Sequence, residues 1–454
     1  MALLSHDHAL EVCRSIVAAS PADETEVTLG QTEDCFARFA DDGPTQNGDR
    51  EKYDVSIRVR LKSDDGIRQA RASCGTLDES DWTAALQRAT ALAQVSPADP
   101  DGSSLGGPVE VRGTAVQRPT QDHSFREKAA WIAEALSACK AAELAPAGLA
   151  RTTVMQRTLV NSSGREVQGA RSLASFELTA GDPAGAGDPG VAVDMHANVD
   201  QLDVSTVIQR AVDKGLRGRE PETFPAGETT VVLEPLAVSS LLLFAAYQGF
   251  GAQEFHVGSS LLCDRVGENL FPDGLAIHDD ADNSRCPGWA FDGEGNPRKR
   301  VALLNDGALR NPVTDSRWAN KLGLPDTGHA RTQPSLDGPR ADNLVVAGGL
   351  EDVGSLVSGV DDGLLITQLH YTNMIEPRDL GLTGMTRGGT FRIRGGRVVG
   401  AVRNLRFTDS LVRILRNVSG IGREQQAVGA LFDGEMLCPA LRVEGFRFTS
   451  TTEF

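Results

Sequence analysis

Eight histidines are the side chains in this sequence best suited to hold a transition metal, so their spacing comes first. They are His6, His8, His123, His196, His256, His278, His329 and His370. Protein zinc sites gather three or four nitrogen, sulfur or carboxylate ligands around one ion. Only His6 and His8 are near neighbours, and they fall on an N-terminal turn that we expect to fray. The spacing therefore predicts no metal site on this chain.

Ligands that are distant in sequence can still come together in a fold, and the acidic stretch at 278–283 could take part in such a site. His256 and His278 could approach Asp279 and Asp280, although nothing in their spacing favours it. The run at 278–283 also lacks the glycine and the terminal glutamate of an EF-hand loop. We interpret this run as a solvated loop.

Nucleophile and nucleotide motifs are equally sparse. The sequence has no G-x-S-x-G elbow and no phosphate-binding P-loop. Gly249 and Gly251 lack the third glycine of a dinucleotide fingerprint, and we interpret them as the end of a helix. A hydrolase that uses Cys263 or Cys286 stays open, but no paired base is indicated, and a buried apolar role is commoner for cysteine.

Apolar periodicity predicts a helix–strands–helix unit in the first hundred residues. A helix is expected at 7–18, a hairpin with strands 55–61 and 67–72, and a second helix around Trp82. Residues 96–121 are rich in proline, glycine, aspartate and serine, which is typical of a connector.

The same order of elements follows the connector. Ser124 and Glu127 form a capping-box pattern ahead of a helix that should reach about residue 142. Strands are expected at 152–159 and 166–178, and another helix should start at Asp203 and stop at Gly215. The repetition suggests an internal duplication, although the two halves share no visible identity.

A polar, proline-bearing linker at 217–227 marks the predicted domain boundary. One strand at 229–233 and one helix at 235–248 follow it, and then a long region of short β-branched runs. The sequence therefore predicts an α+β protein with two domains. The first, at 1–220, is an α/β domain with the helix–strands–helix pattern, and the second, at 228–454, is rich in strands.

Composition excludes several classes of protein. The 454 residues carry a net charge of −17, from 62 acidic and 45 basic side chains, which disfavours nucleic acid as a partner. We interpret the basic runs at 298–300 and 392–397 as solvated strand edges. Seven scattered cysteines without CxxC spacing suit a reducing compartment. The N-terminus lacks signal-peptide features, and no apolar stretch is long enough for a membrane, so a cytoplasmic location is expected.

Several blocks of the second half resemble the TldD/PmbA family, once called modulators of DNA gyrase. They are TTVVLEPLAVSSLLLFAAYQGFG, AFDGEGNPRKRVALLNDGALRNPVTDSRWANKLGLPDTGHA, DGLLITQLH, LTGMTRGGTFRIRGGRVVGAV and NLRFTDSLVRILRNVSGIG. They cover most of residues 228–422 in the family's order. The family pairs a TldD-type subunit, which carries HExxxH, with a TldE-type subunit, which does not.

The position of the HExxxH motif decides which subunit type this chain resembles. An ungapped alignment places the motif on Leu243-Phe244-Ala245-Ala246-Tyr247-Gln248. Leucine, phenylalanine and glutamine cannot bind zinc or activate a water molecule as the two histidines and the glutamate do. Cys438 lies several residues beyond the position of the family's cysteine ligand. The resemblance therefore implies a TldE-like subunit without catalytic residues, metal ligands or cofactor of its own.

The family resemblance also indicates where a peptide would lie. It implies a cleft beside the strand that precedes His370, where an extended peptide adds to a sheet. The candidates on the following segment, predicted as a loop, are His370, Asn373, Thr383, Gly384, Arg387 and Gly388. A surface loop without this role remains an alternative.

These expectations combine into one hypothesis and an alternative. The chain is expected to be the non-catalytic subunit of a TldD/TldE-type heteromeric zinc protease that cleaves unfolded or short peptides, including natural-product precursors or leader peptides. Zinc is then expected on a partner that carries HExxxH. The alternative is a stand-alone hydrolase or binding protein on the same fold that acts on a peptide-like metabolite.

Overall fold

The computed structural model describes residues 3–112, 115–429 and 434–452. Its first sheet contains six antiparallel strands in the order β3-β2-β1-β4-β5-β6. These strands are Glu24–Ala40 (β1), Gly43–Ser63 (β2), Gly66–Cys74 (β3), Ala145–Asn161 (β4), Glu166–Gly181 (β5) and Gly190–His196 (β6). The accompanying helices are His6–Ala19 (α1), Glu79–Val95 (α2), Arg118–Asp122 (α3), Phe125–Ala141 (α4) and Val204–Arg217 (α5).

The predicted repetition is present in this sheet. One half runs α1-β1-β2-β3-α2, and the other runs α4-β4-β5-β6-α5. The halves meet where β1 and β4 pair antiparallel along fifteen positions, from Glu26 opposite Asn161 to Ala40 opposite Ala147. A single sheet therefore joins two units of the same element order.

Strand alternation gives this sheet one apolar face and one polar face. Val27, Leu29, Val55 and Ile57 are buried with residues of α1 and α2, and Phe176 is buried with residues of α4 and α5. The side chains between them in sequence point to the opposite face, where Thr28 and Ser56 line a cavity. We call this opposite surface the open face.

Local signals predicted the helix ends well, with one error. The capping box is confirmed, because Ser124 Oγ accepts from the Glu127 N–H while the Glu127 carboxylate accepts from the Ser124 N–H. Gly215 does not end its helix, which continues to Arg217. A Cβ atom on Gly215 would lie 2.4 Å from Ala180 O, so glycine is required there for close packing on the sheet.

The predicted connector at 96–121 is more ordered than its composition indicates. Asp99 pairs with Ile67 at the edge of β3, and α3 occupies Arg118–Asp122. The Arg165 side chain also donates to Gly107 O over 2.9 Å. This segment therefore packs along the first sheet.

The second sheet has eleven strands and forms the largest core. Its strands are Gly227–Leu233 (β7), Ile277–Asp279 (β8), Val301–Asn305 (β9), Ala308–Leu309 (β10), Leu344–Val346 (β11), Asp362–Glu376 (β12), Gly381–Arg394 (β13), Arg397–Ala401 (β14), Leu405–Ser410 (β15), Val418–Gly429 (β16) and Glu435–Thr451 (β17). Strands β7, β12, β13, β15 and β17 pair in a closed ring, because β17 returns to pair with β7.

Short helices connect these strands. They are Pro235–Phe244 (α6), Ala252–His256 (α7), Ser316–Leu322 (α8), Val353–Ser358 (α9) and Leu411–Arg416 (α10). The α+β class and the strand-rich second half are confirmed, and the domain limits 1–220 and 228–454 stay a prediction. Within the described ranges, no helix has both the length and the apolar character needed to cross a bilayer.

Candidate functional site

The position of the missing zinc motif lies where α6 changes into a π-helical turn. Helix α6 ends at Phe244, and a π turn covers Ala245–Gly249. An HExxxH motif places its histidines five residues apart, which is about 140° around an α-helix of 3.6 residues per turn. A π turn joins residues five apart by hydrogen bonds and brings them towards one face. Of the two positions that the histidines would take, Leu243 lies on α6 and Gln248 lies in the π turn.

The side chains at this position do not suit zinc. Leu243 and Phe244 pack partly buried against the core of the second sheet, and Ala245 and Ala246 are buried. Gln248 Nε2 lies 3.5 Å from Ser259 Oγ. Zinc requires imidazole, thiolate or carboxylate donors, and this segment contains none of them.

The other candidate metal ligands do not form a metal site in the described structure. Cys438 is fully buried in the core of the second sheet, where burial raises the pKa of its thiol and so disfavours the thiolate that binds a metal. Among the described residues, no group of three or more histidine, cysteine, aspartate or glutamate side chains is placed to hold a metal ion.

The predicted loop after His370 is instead a long hairpin, so that prediction is wrong. Strand β12 runs on to Glu376, and β13 begins at Gly381. His370 lies opposite Met385, and Asn373 lies opposite Thr383. Polar and β-branched residues can form such an exposed ribbon because only its inner side has to be buried.

The hairpin brings His370 and Arg387 together on its surface. Arg387 Nη1 lies 3.2 Å from His370 Nδ1. Partial burial, and then the guanidinium charge, lower the pKa of His370, so the imidazole is neutral at pH 7 and can accept from Arg387. Tyr371 stands beside the pair with 71% of its surface exposed and a φ of +49°.

The other cleft candidates are held by their own neighbours. Asn373 is exposed, and its side-chain amide donates to Tyr371 O over 3.0 Å. Thr383 Oγ1 donates to a β15 carbonyl over 3.0 Å, and a Cβ on Gly384 would lie 2.7 Å from the Phe407 ring. Gly388 has a φ of +73°, which favours glycine, and lies under β6. Whether any of these residues contacts peptide stays a prediction.

The acidic run at 278–283 is not simply a solvated loop. Asp279 is fully buried on β8, where it pairs with Arg298 at 2.5 Å and lies 3.0 Å from His329 Nε2. Asn343 donates its backbone N–H to the same carboxylate over 2.9 Å. The interpretation of 298–300 as a solvated edge is therefore wrong for Arg298, whose side chain is 6% exposed.

Among the described residues, neither cysteine singled out as a nucleophile has a hydrogen bond to a histidine or carboxylate side chain. Cys263 Sγ contacts Phe255 O at 3.5 Å, and Cys286 Sγ contacts Met195 O at 3.9 Å. Burial raises the pKa of the Cys286 thiol, which suppresses its thiolate form. Both side chains have the small apolar role that the sequence favoured.

Sequence analysis missed a cleft between the open face and the second half of the chain. Its volume is about 670 Å³, within the range of ligand sites. Arg151 and Arg157 on β4, together with Arg171 on β5, line one side, and Trp289 lies on the other. Arg151 and Arg157 are an even number of positions apart on β4, which places both side chains on one face of the strand. This spacing was the signal in the sequence that could have indicated the cleft.

The second half of the chain matches a metallopeptidase family, although its assigned motif position carries no zinc ligand. Residues 226–450 match the family model described as the PmbA/TldA metallopeptidase C-terminal domain. This region of the chain belongs to the PmbA/TldD family, as its sequence blocks predicted.

Individual relatives agree with this assignment at low identity. The chain is 22% identical over 230 residues to a metalloprotease of Methanothermobacter thermautotrophicus, covering 50% of each chain. It is 25% identical over 190 residues to the metalloprotease PmbA of Escherichia coli O157:H7, covering 41% of this chain and 39% of that one. The chain thus matches about half or less of the length of these curated relatives.

A solved structure extends the likeness to almost the whole fold. The crystal structure of TldE from Thermococcus kodakarensis superposes with a TM-score of 0.84 at 19% identity. The match covers 97% of this chain and 100% of that one. The predicted two-part α+β architecture is therefore that of TldE.

Proposed function

We propose that this chain is the non-catalytic subunit of a heteromeric zinc metallopeptidase, with the zinc and the HExxxH motif on a partner of the same family. One observation carries the proposal: at the motif position, on α6 and its π turn, Leu243, Phe244 and Gln248 stand where two histidines and a glutamate would be required. The seven free cysteines suit a reducing, cytoplasmic setting.

The chain's contribution in such an assembly is structural and substrate-binding. Its hairpin of β12 and β13 presents a neutral imidazole and a guanidinium beside one another, and beyond Ile366 strand β12 pairs with β13 alone among the described strands. An extended peptide can pair with an exposed strand through main-chain hydrogen bonds, while side chains adjust the fit. Unfolded or short peptides, including precursor or leader peptides, are the substrate class that this geometry supports.

Metal content and activity test the proposal directly. The chain purified alone should contain substoichiometric zinc and should not hydrolyse unfolded casein. Co-expression with a relative that carries HExxxH should yield a stable complex with one zinc per catalytic subunit and peptidase activity. The control is the same complex with the partner's motif glutamate changed to glutamine, which should assemble but not cleave.

The alternative function has its own signature in this assay. Stoichiometric zinc or iron on the isolated chain, or peptide hydrolysis without a partner, would support a stand-alone hydrolase or binding protein and contradict the subunit role. Elemental analysis and casein turnover on the same sample separate the two outcomes.

The hairpin is tested by Arg387→Gln in the active complex. We expect the KM for peptides to rise about tenfold with little change in kcat, because a lost charge-assisted hydrogen bond weakens binding by about that factor. Arg397→Gln is the matched control, since Arg397 is exposed on the neighbouring strand β14. Equal KM values for wild type and Arg387→Gln would show that the hairpin does not touch substrate.

A further inference from the structure

The cleft beside the open face concentrates positive charge in an acidic protein. Its described charged lining residues are Lys52, Arg71, Arg151, Arg157 and Arg171 on the basic side, and Asp54 and Glu435 on the acidic side. The whole chain carries a net charge of −17. A basic cavity is not expected from the acidic composition of this chain, which indicates that the cavity has a role in binding a negatively charged group.

Arg171 is the most informative of these side chains. It is 3% exposed and forms an ion pair with Glu435 through Nη2. Within the part of the chain that the structure describes, its Nε and Nη1 atoms have no hydrogen-bond partner. Buried donors are nearly always paired in native proteins. Two unpaired guanidinium donors on the wall of a cavity therefore point to an anionic ligand.

Trp289 orders the guanidinium groups of the cleft. The Cζ atom of Arg157 lies 4.2 Å from the centroid of the indole ring, and that of Arg171 lies 5.9 Å from it. Stacking of guanidinium on an aromatic face restricts its rotation and leaves its edge donors directed outwards. The cleft is thus organised before a ligand arrives.

Arg71 extends the basic surface towards a second cavity. Its side chain forms no hydrogen bond or ion pair with the residues that the structure describes, and Asp54 and Glu26 are the opposite charges that act on it. A neighbouring cavity of about 550 Å³ shares Arg71, Arg157 and Trp289 with the first. The two cavities adjoin along these shared residues, and we call them together the groove.

We propose that this groove binds acidic peptide segments, whose carboxylates pair with Arg71, Arg157 and Arg171. Carboxylates accept two parallel hydrogen bonds from a guanidinium, a geometry that the fixed planes in this cleft favour. The peptide nature of the ligand rests on the proposed function, whereas anion binding does not. A polyphosphate carries a charge on every backbone unit and therefore meets more repulsion from the remaining acidic chain than a peptide with spaced carboxylates does.

Calorimetric titration of the isolated chain tests the proposal. The probes are an alternating glutamate–glycine hexapeptide, its glutamine–glycine counterpart and a short oligothymidylate. We expect the glutamate peptide to bind at least about tenfold more tightly than the glutamine peptide, with affinity that falls as salt is added. Arg71→Gln and Arg157→Gln should each weaken binding about tenfold. Arg416→Gln, at the exposed end of α10, should leave it unchanged.

Arg171 needs a gentler substitution because it is buried against Glu435. Arg171→Lys keeps the charge but loses the planar fork, so we expect weaker binding with an unchanged circular dichroism spectrum. Equal affinities for the two peptides, unchanged affinity in both glutamine variants, or tighter binding of the oligothymidylate would each overturn the proposal. The assay needs neither partner nor zinc, so its failure would leave the subunit role intact, and a failure to assemble would leave the binding result intact.

Discussion

Asp279→Ala should lower the free energy of unfolding by about 3–5 kcal/mol. The carboxylate is fully buried, and its loss would leave the Arg298 guanidinium buried beside the weaker contact with Asp342 at 3.8 Å. Removing one member of a buried ion pair is costly because the remaining charge cannot return to water. Urea unfolding at pH 7, followed by circular dichroism, measures the loss.

The adjacent residue provides a matched control for this prediction. Asp280 pairs at 3.3 Å with Arg300, whose side chain is 62% exposed. Asp280→Ala should therefore cost less than about 1 kcal/mol, as exposed pairs do. Similar losses for the two variants would contradict the assignment of Asp279 as the charge that stabilises this region.

The same network predicts acid sensitivity. Burial alone would raise the pKa of the Asp279 carboxyl, but Arg298 and His329 outweigh burial and hold that pKa well below its usual range. A depressed pKa in the folded state contributes stability above the unfolded value of about 3.9, and this contribution is lost as the pH falls below it. The penalty of Asp279→Ala should accordingly shrink in unfolding measurements made towards pH 3.

Glu294→Gln should stabilise the protein at pH 8 by roughly 2–3 kcal/mol, the second large effect. Burial, and then the neighbouring Asp315 carboxylate, raise the pKa of Glu294 to about 7 against the partial compensation of Arg58. Its Oε2 atom is buried without a hydrogen-bond partner among the described residues. Ionisation of Glu294 therefore places an uncompensated negative charge in an enclosed site, which destabilises the folded state.

The sign of the pH dependence follows from that raised pKa. The stability linked to protonated Glu294 is fully present below the unfolded value of about 4.3 and is lost as the pH rises through about 7. Wild-type protein should thus lose stability between pH 5 and pH 8, while Glu294→Gln shows a flatter profile. Glu268→Gln, at an exposed position, should follow wild type. A profile for Glu294→Gln that parallels wild type would contradict the raised pKa.

Local chemistry explains what could be predicted of the fold. The capping box at Ser124 and the apolar stripe of α5 depend on residues three or four positions apart, which lie within one helical turn. The repeated helix–strands–helix order followed from such signals, and the structure confirms it. The hairpin at 55–72 was also predictable, because its alternation and its Ser63–Gly66 turn are local.

Errors arose where distant residues decide the outcome. Gly215 resembles a helix stop, but α5 packs so closely on β5 that Ala180 leaves no room for a side chain there. A glycine is therefore required inside the helix. Asp279 resembles a loop residue until Arg298, His329 and Asn343 surround it. The polar segment after His370 resembles a loop because its pairing partner in β13 lies beyond a turn that the sequence does not mark clearly.

The sequence by itself determined that Leu243, Phe244 and Gln248, at the position assigned to the zinc motif, offer no imidazole, thiolate or carboxylate, since side-chain chemistry is independent of folding. Only the tertiary structure decided that Gln248 lies in a π turn, and that Arg71, Arg157, Arg171 and Trp289 line one groove. Even spacing places Arg151 and Arg157 on one face of β4, but only sheet pairing and the packing of the two halves bring the other residues to them. Residue types determine which ligand chemistry is available, whereas the shape of a site depends on contacts between residues far apart in sequence.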